Sequence, residues 1–264
     1  MSGFVDAARA EWVKQRTLPG TVWLCVAAVV TTIAVSATVL SATHTSAAGD
    51  PGGAGPDPAK LTLTGVLLGQ AVIAALAVLA VGDEYGTGMI RVSVTAIPRR
   101  WHLLGAKAAV GAGLTALAGV VAVGGCVLAG RLLLPGAGIG PAHGYQLVSL
   151  GNGPTVRAAA GSVVYLVLVG LLALGVTTAI RDSAVSIGVV LGLLYLPLLL
   201  IQAVNDPLRR HLAQIAPMTA GLAVQATTNL HQQALSPWAG VGVMAAWAGG
   251  ALLLGGLALR LRDV

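Results

Sequence analysis

Long apolar runs, broken by short polar interruptions, set the pattern of this chain. Six runs can be marked, at about residues 21–41, 61–82, 103–134, 157–180, 185–203 and 238–259. All but the third, which is longer, are close to the roughly 20 residues that a helix needs to cross the hydrocarbon core of a bilayer. Leu, Ala, Val and Gly follow one another continuously, without the period-2 alternation and short segments of a β-barrel. The pattern predicts an all-α, polytopic membrane protein with six transmembrane helices in a single domain spanning 1–264. The third window is too long for a straight crossing, so its ends are expected to protrude. Lys107 and Arg131 near those ends can snorkel to the headgroups.

The interruptions differ in character. Residues 2–17 place Phe4, Val5, Ala8 and Trp12 on one helical face, with Asp6, Arg9, Lys14 and Arg16 elsewhere. That is the pattern of an amphipathic helix lying in the membrane interface. The alternative is a solvated positive flank that only sets topology; Trp12 on the apolar face favours the interfacial helix. An uncleaved first span follows, because its apolar run is too long for a signal peptide and further spans come after it. Residues 42–60 and 135–156 are Gly- and Pro-rich loops. Residues 181–184 are a link so short that spans four and five must be antiparallel neighbours. Residues 204–237, broken by Pro207, Pro217 and Pro237, read as short or re-entrant helices at the outer surface. Pro197 is expected to kink span five.

Residues 82–107 stand out. They contain one of the chain's two glutamates, Glu84, together with Arg91, Arg99, Arg100, Lys107, Pro98 and Trp101. Asp83 and Glu84 end span two, and Tyr85, Gly86, Thr87 and Gly88 allow a sharp bend. Residues 89–97 suit a short helix on the membrane, stopped by Pro98. The residues alone fit two readings: a docking element for a soluble partner, or an ordinary positive loop with an aromatic anchor.

Composition narrows the class. Only 9% of residues are charged, against about 25% in soluble domains. The net charge of +6 is explained by topology rather than by nucleic acid. With the N-terminus in the cytoplasm, Arg9, Lys14, Arg16, Arg91, Arg99, Arg100, Lys107, Arg181, Arg260 and Arg262 lie inside, and Lys60, Arg131, Arg157, Arg209 and Arg210 lie outside. The positive-inside rule therefore predicts a multi-pass plasma-membrane protein with both termini cytoplasmic.

Chemistry is sparse. The lysines, Lys14, Lys60 and Lys107, follow Val13, Ala59 and Ala106, so no Gly-Lys of a phosphate-binding loop exists. There is no GxSxG, HExxH or SxxK, and no metal-ligand spacing. Cys25 and Cys126 read as packing residues, and the five histidines as scattered interfacial ones. No enzyme activity is expected of this chain. Carboxylates are confined to span ends, which weakens a proton-coupled carrier. Gln70, Thr31, Thr32, Tyr195 and Gln202 are the polar span residues that would line a cavity.

The run from Glu84 to Arg91, followed by Ile97-Pro98-Arg99-Arg100-Trp101 and Gly105-Ala106-Lys107, resembles the loop between spans two and three of ABC-2 type permeases. The segment from Glu11 to Thr17 is similar to the leading segment of that family in actinobacteria. The resemblance implies an exporter permease for a hydrophobic or amphipathic compound. It implies a separate ATPase subunit that binds ATP and Mg, and a second copy of the permease or a paralogue. Asp83, Glu84, Tyr85, Gly86, Thr87, Gly88, Arg91, Pro98, Arg99, Arg100 and Trp101 would then form the coupling element, within 83–102. Gly88 is an extra glycine relative to the family pattern. An ATPase-linked sensor or immunity subunit without a conduit, and a stand-alone secondary carrier, are the competing functions.

Overall fold

A computed structural model describes residues 2–43, 57–89, 100–137, 139, 148–149, 151–228, 230, 233 and 235–261. The helices are α1 (Ser2–Thr17), α2 (Pro19–Ala42), α3 (Pro58–Thr62), α4 (Val66–Gly86), α5 (Arg100–Leu133), α6 (Gly153–Ile180), α7 (Ser183–Ala203), α8 (Asp206–Ile215), α9 (Pro217–Leu222) and α10 (Pro237–Leu261). Six of them, α2, α4, α5, α6, α7 and α10, are long and apolar enough to cross a membrane. No strand occurs among the described residues. The protein is all-α and polytopic.

The helix bounds shift the expected map in three places. What reads as one apolar run from residue 61 is a short helix, α3, a turn, and then α4 from Val66. At its other end α4 continues to Gly86, so Asp83, Glu84, Tyr85 and Gly86 form its last turn rather than a loop. The long third run is one unbroken helix of 34 residues. At about 1.5 Å per residue it exceeds the roughly 30 Å hydrocarbon thickness by about four turns, shared between its ends and any tilt.

α4 and α6 form the buried centre of the bundle, and α2 and α7 are the most exposed of the six long helices. α6 packs against α4, α5, α7 and α10, and α2 lies on α4 and α5. In a bilayer, lipid is as apolar as leucine, so helices associate through close packing of small residues and through hydrogen bonds. The α6–α10 crossing shows the first. A Cβ on Gly175 would sit 2.5 Å from the Ala251 carbonyl carbon, and one on Gly255 would sit 2.7 Å from the Gly175 oxygen. Hydrogen bonds supply the second. The Tyr165 hydroxyl donates to Gln70 Oε1, Gln70 Nε2 donates to the Leu67 carbonyl and contacts Met218 Sδ, and the Tyr195 hydroxyl donates to the Leu67 carbonyl. This knot ties α4, α6, α7 and α9 together in the interior.

The α6–α7 link is two residues long. Arg181 adopts a left-handed conformation with φ 67°, and Asp182 caps α7 by accepting from the Val185 N–H at 2.8 Å. α7 runs through Pro197 as one helix. The short helices α8 and α9 fill the connection to α10, where the Trp247 indole N–H donates to the Ile215 carbonyl at 2.9 Å.

Asp57 fastens the pole opposite α1. Its carboxylate caps α3 through the Ala59 and Lys60 N–H groups. It also accepts from the Thr227 hydroxyl at 2.6 Å and from the Thr227 and Thr228 N–H groups. Burial pushes its pKa up. The hydrogen bonds from Thr227, Thr228 and Lys60 outweigh that and hold it below the ordinary carboxylate value. A depressed folded-state pKa stabilises the protein above the unfolded value of about 3.9 and is lost as pH falls through the folded pKa. Asp57→Ala should therefore destabilise the protein by about 1–3 kcal/mol at neutral pH in detergent unfolding. The gap from wild type should stay constant at neutral and mildly acidic pH and close only below the usual carboxylate range.

Candidate functional site: a buried ion cluster at the amino-terminal pole

The sequence of α1 makes an unusual helix edge. Ala7, Glu11 and Gln15 recur every four residues, so they form one strip. That strip is buried, although two of its three residues are polar. Phe4, Val5, Trp12 and Val13 are exposed. α1 thus turns its polar strip toward the protein, mainly against α5, and keeps apolar side chains on its outer surface.

The reason is a set of charges on the neighbouring helices. Lys107, two turns into α5, is 6% exposed, and Glu84, in the last turn of α4, is 3% exposed. Lys107 Nζ lies 2.6 Å from Glu11 Oε1 and also pairs with Glu84 Oε1. Lys14, half-exposed, pairs with the same Glu84 oxygen. Two carboxylates and two ammonium groups thus neutralise one another across three helices. Removing such charges from water costs several kcal/mol each unless partners compensate, and at membrane depth the same demand is stronger. Lys107 therefore points into the protein and does not snorkel outward. Gln15 extends the cluster toward α2 by accepting from the Thr21 hydroxyl at 2.9 Å. Glu84 Oε2 is buried without a hydrogen-bond partner among the described residues. A cavity of about 30 Å³ adjoins the cluster, lined on its polar side by Glu11, Gln15, Lys107 and Thr115. It has room for about one or two water molecules.

The C-terminal end of α10 meets the same pole. A helix leaves its last carbonyls without intrahelical partners, and two arginines answer them. Arg181 Nη2 donates to the Ala258 carbonyl at 3.0 Å, and Arg100 Nη1 donates to the Leu259 carbonyl. The Arg181 guanidinium lies 5.9 Å from the centre of the Tyr85 ring, and Arg260 lies 5.8 Å from that of Trp101. Both ends of the 87–99 stretch are thus anchored. Glu84 and Tyr85 hold the leading end to α1, α5 and Arg181. Arg100 and Trp101 hold the trailing end to α10.

The residues expected to form a coupling element are distributed as follows. Asp83, Glu84, Tyr85 and Gly86 are helical, and Thr87 closes α4 by donating its hydroxyl to the Asp83 carbonyl at 2.7 Å. Gly88 has φ +72°, the left-handed conformation that ends helices and that glycine adopts without penalty. The extra glycine thus has a physical role as the helix stop. Arg100 and Trp101 open α5. Arg91, Pro98 and Arg99 lie outside the described residues.

The expected cavity residues do not converge. Gln70 and Tyr195 belong to the interior knot. Thr32 is buried and donates to the Ala28 carbonyl at 2.6 Å. Thr31 is half-buried, and Gln202 is exposed. None of them lines the apolar groove of about 1140 Å³ between α6, α7 and α10 that is bordered by Val176, Gly192, Leu196, Pro197 and Trp247.

Sequence reasoning missed Glu11, Lys14 and Lys107 as a unit. One signal was available: Glu11 lies in line with Ala7 and Gln15, a polar position on an edge that must pack somewhere. Compared with models of known protein families and with curated proteins, the chain matches none.

Removing the central cation should leave two buried carboxylates with only Lys14 to offset them. Lys107→Met is expected to cost about 3–5 kcal/mol. Lys14→Met, at a half-exposed position, should cost about 1 kcal/mol or less. Unfolding in mixed micelles measures both, and equal losses would contradict the central place of Lys107.

Proposed function

We propose that this chain is the membrane-spanning permease subunit of an ATP-driven exporter of the ABC-2 type, working with a separate ATPase subunit. The observation that carries the reading is the anchoring of the 87–99 stretch at both ends. One end is tied by the Glu84 cluster to α1 and α5, and the other by Arg100 and Trp101 to α10. A soluble partner pressing on that stretch would move four helices at once. The order of residues from Glu84 to Lys107 adds the family resemblance. Two permease copies and two ATPases form the working unit, with ATP and Mg held by the ATPases and both permease termini in the cytoplasm.

The cargo is a hydrophobic or amphipathic compound. The groove between α6, α7 and α10 supports this, since among the described residues Gln214 and the Trp247 indole are the polar groups in an otherwise apolar lining. A second reading, an ATPase-linked membrane subunit that conducts nothing, draws on the hydrogen bonds that occupy Gln70, Thr32 and Tyr195 in packing and on their absence from the lining of that groove. Uptake of labelled amphiphiles into inverted vesicles separates the two.

The chain, tagged and purified from its own membrane, should carry an ATPase subunit with it. Arg91→Ala should lower recovery of that subunit severalfold without changing thermal stability. Repeated purification with no ATPase present would sink the proposal. Cysteines placed at positions 46 and 93, in place of Ser46 and Ser93, should be labelled from opposite sides of the membrane. Labelling from one side would overturn the assigned orientation.

A further inference from the structure

The ion cluster has a consequence for the outer surface of α1. Glu11 and Lys14 hold this helix to Lys107 and Glu84, and the Thr21 hydroxyl holds Gln15. The roll of α1 about its own axis is therefore fixed. A single residue, Leu18, separates α1 from α2, the first helix long enough to cross the membrane. α1 must consequently lie at the membrane boundary, and the locked roll decides which side chains meet it.

Next to the buried edge comes an apolar strip of Phe4, Ala8 and Trp12, spaced four apart. Arg9 and Arg16 follow, three before and four after Trp12, on the adjoining strip. Both arginines are exposed, and neither forms an ion pair with any described residue. Of the acidic residues of α1, Glu11 is buried in the cluster, and Asp6, three residues before Arg9, borders the arginine strip on the side away from Trp12 without an ion pair to it. The result is an exposed strip with an aromatic ring between two unpaired guanidinium groups, held at headgroup level. A zwitterionic surface offers phosphates but no net negative charge to balance those two cations. Phosphates of anionic lipids complement them, and the tryptophan suits the same depth.

We propose that Arg9, Trp12 and Arg16 form a recognition strip for anionic phospholipid headgroups, of which phosphatidylglycerol is the test case. The strip lies on the same helix as Glu11 and Lys14, which pair with Lys107 and Glu84 and fix its orientation. The proposal needs only the six-span fold and the locked α1, and it is independent of any ATPase partner.

The test uses the full chain in phosphatidylcholine vesicles that contain phosphatidylglycerol. Bromine is carried on the acyl chains of one lipid or the other at equal mole fraction. Subtracting the emission of Trp12→Phe isolates the Trp12 signal. Brominated phosphatidylglycerol should quench Trp12 more strongly, as for a local enrichment of about fivefold per arginine at low salt, and the preference should shrink at high salt. Arg9→Gln with Arg16→Gln should abolish the preference while Trp12 remains quenched, and Arg9→Lys with Arg16→Lys should retain most of it. Circular dichroism checks that each variant is folded. Equal quenching by the two lipids overturns the proposal and leaves the basic strip to an acidic protein surface. Absence of quenching by either lipid also overturns it, since α1 would then lie off the bilayer. A preference that survives the double glutamine variant removes these arginines from the site.

Discussion

Charge buried at the edge of a bilayer must be matched, and this requirement organises the amino-terminal pole. Lys107 sits two turns into a long apolar helix and points into the protein, 6% exposed, where an unpaired ammonium group would be costly. It is stabilised only because Glu84 arrives from α4 and Glu11 from α1. The polar edge of α1 and the orientation of that helix on α5 follow from this match. Apolar residues replacing the whole cluster could pack as well, but they would not specify where α1 lies.

The same logic operates with weaker groups elsewhere. Arg100 and Arg181 satisfy the carbonyls at the end of α10, the knot around Gln70 satisfies polar groups inside the bundle, and Asp57 ties the opposite pole. Between these polar fastenings the helices meet through small residues, as where Gly175 and Gly255 bring α6 and α10 into backbone contact. Rigid seams of this kind let a force applied at one loop move whole helices. Two of these fastenings, the Glu84 cluster and the Arg100 cap on α10, flank the 87–99 stretch.

The architecture was legible because bilayer thickness writes itself directly into the length of apolar runs. The six long helices could be marked from that constraint alone. Their ends were less legible. Nothing in the apolar run beginning at residue 61 announces the turn between α3 and α4, and the helical last turn from Asp83 to Gly86 reads as loop because it is polar. The ion cluster was hidden for a different reason. Glu11 and Lys107 are 96 residues apart in sequence, and a lysine near the end of a span has a plausible alternative in snorkelling outward. The polar residues Gln70, Thr32 and Tyr195 misled in the opposite direction. Polarity inside a span suggests a lined passage, yet here each is consumed by a neighbouring helix or its own backbone. Gly88, which seemed a departure from an expected pattern, has a local cause in the positive φ that ends α4.

The central claim is that Glu11 and Lys107 act on one another across the α1–α5 seam. A double-mutant cycle on folding stability, with Glu11→Gln and Lys107→Met singly and together, measures that interaction directly. The account predicts a double variant clearly less destabilised than the sum of the single ones, by about 1–3 kcal/mol. Effects that add to within about 0.5 kcal/mol would mean that the two residues do not interact, and would contradict it.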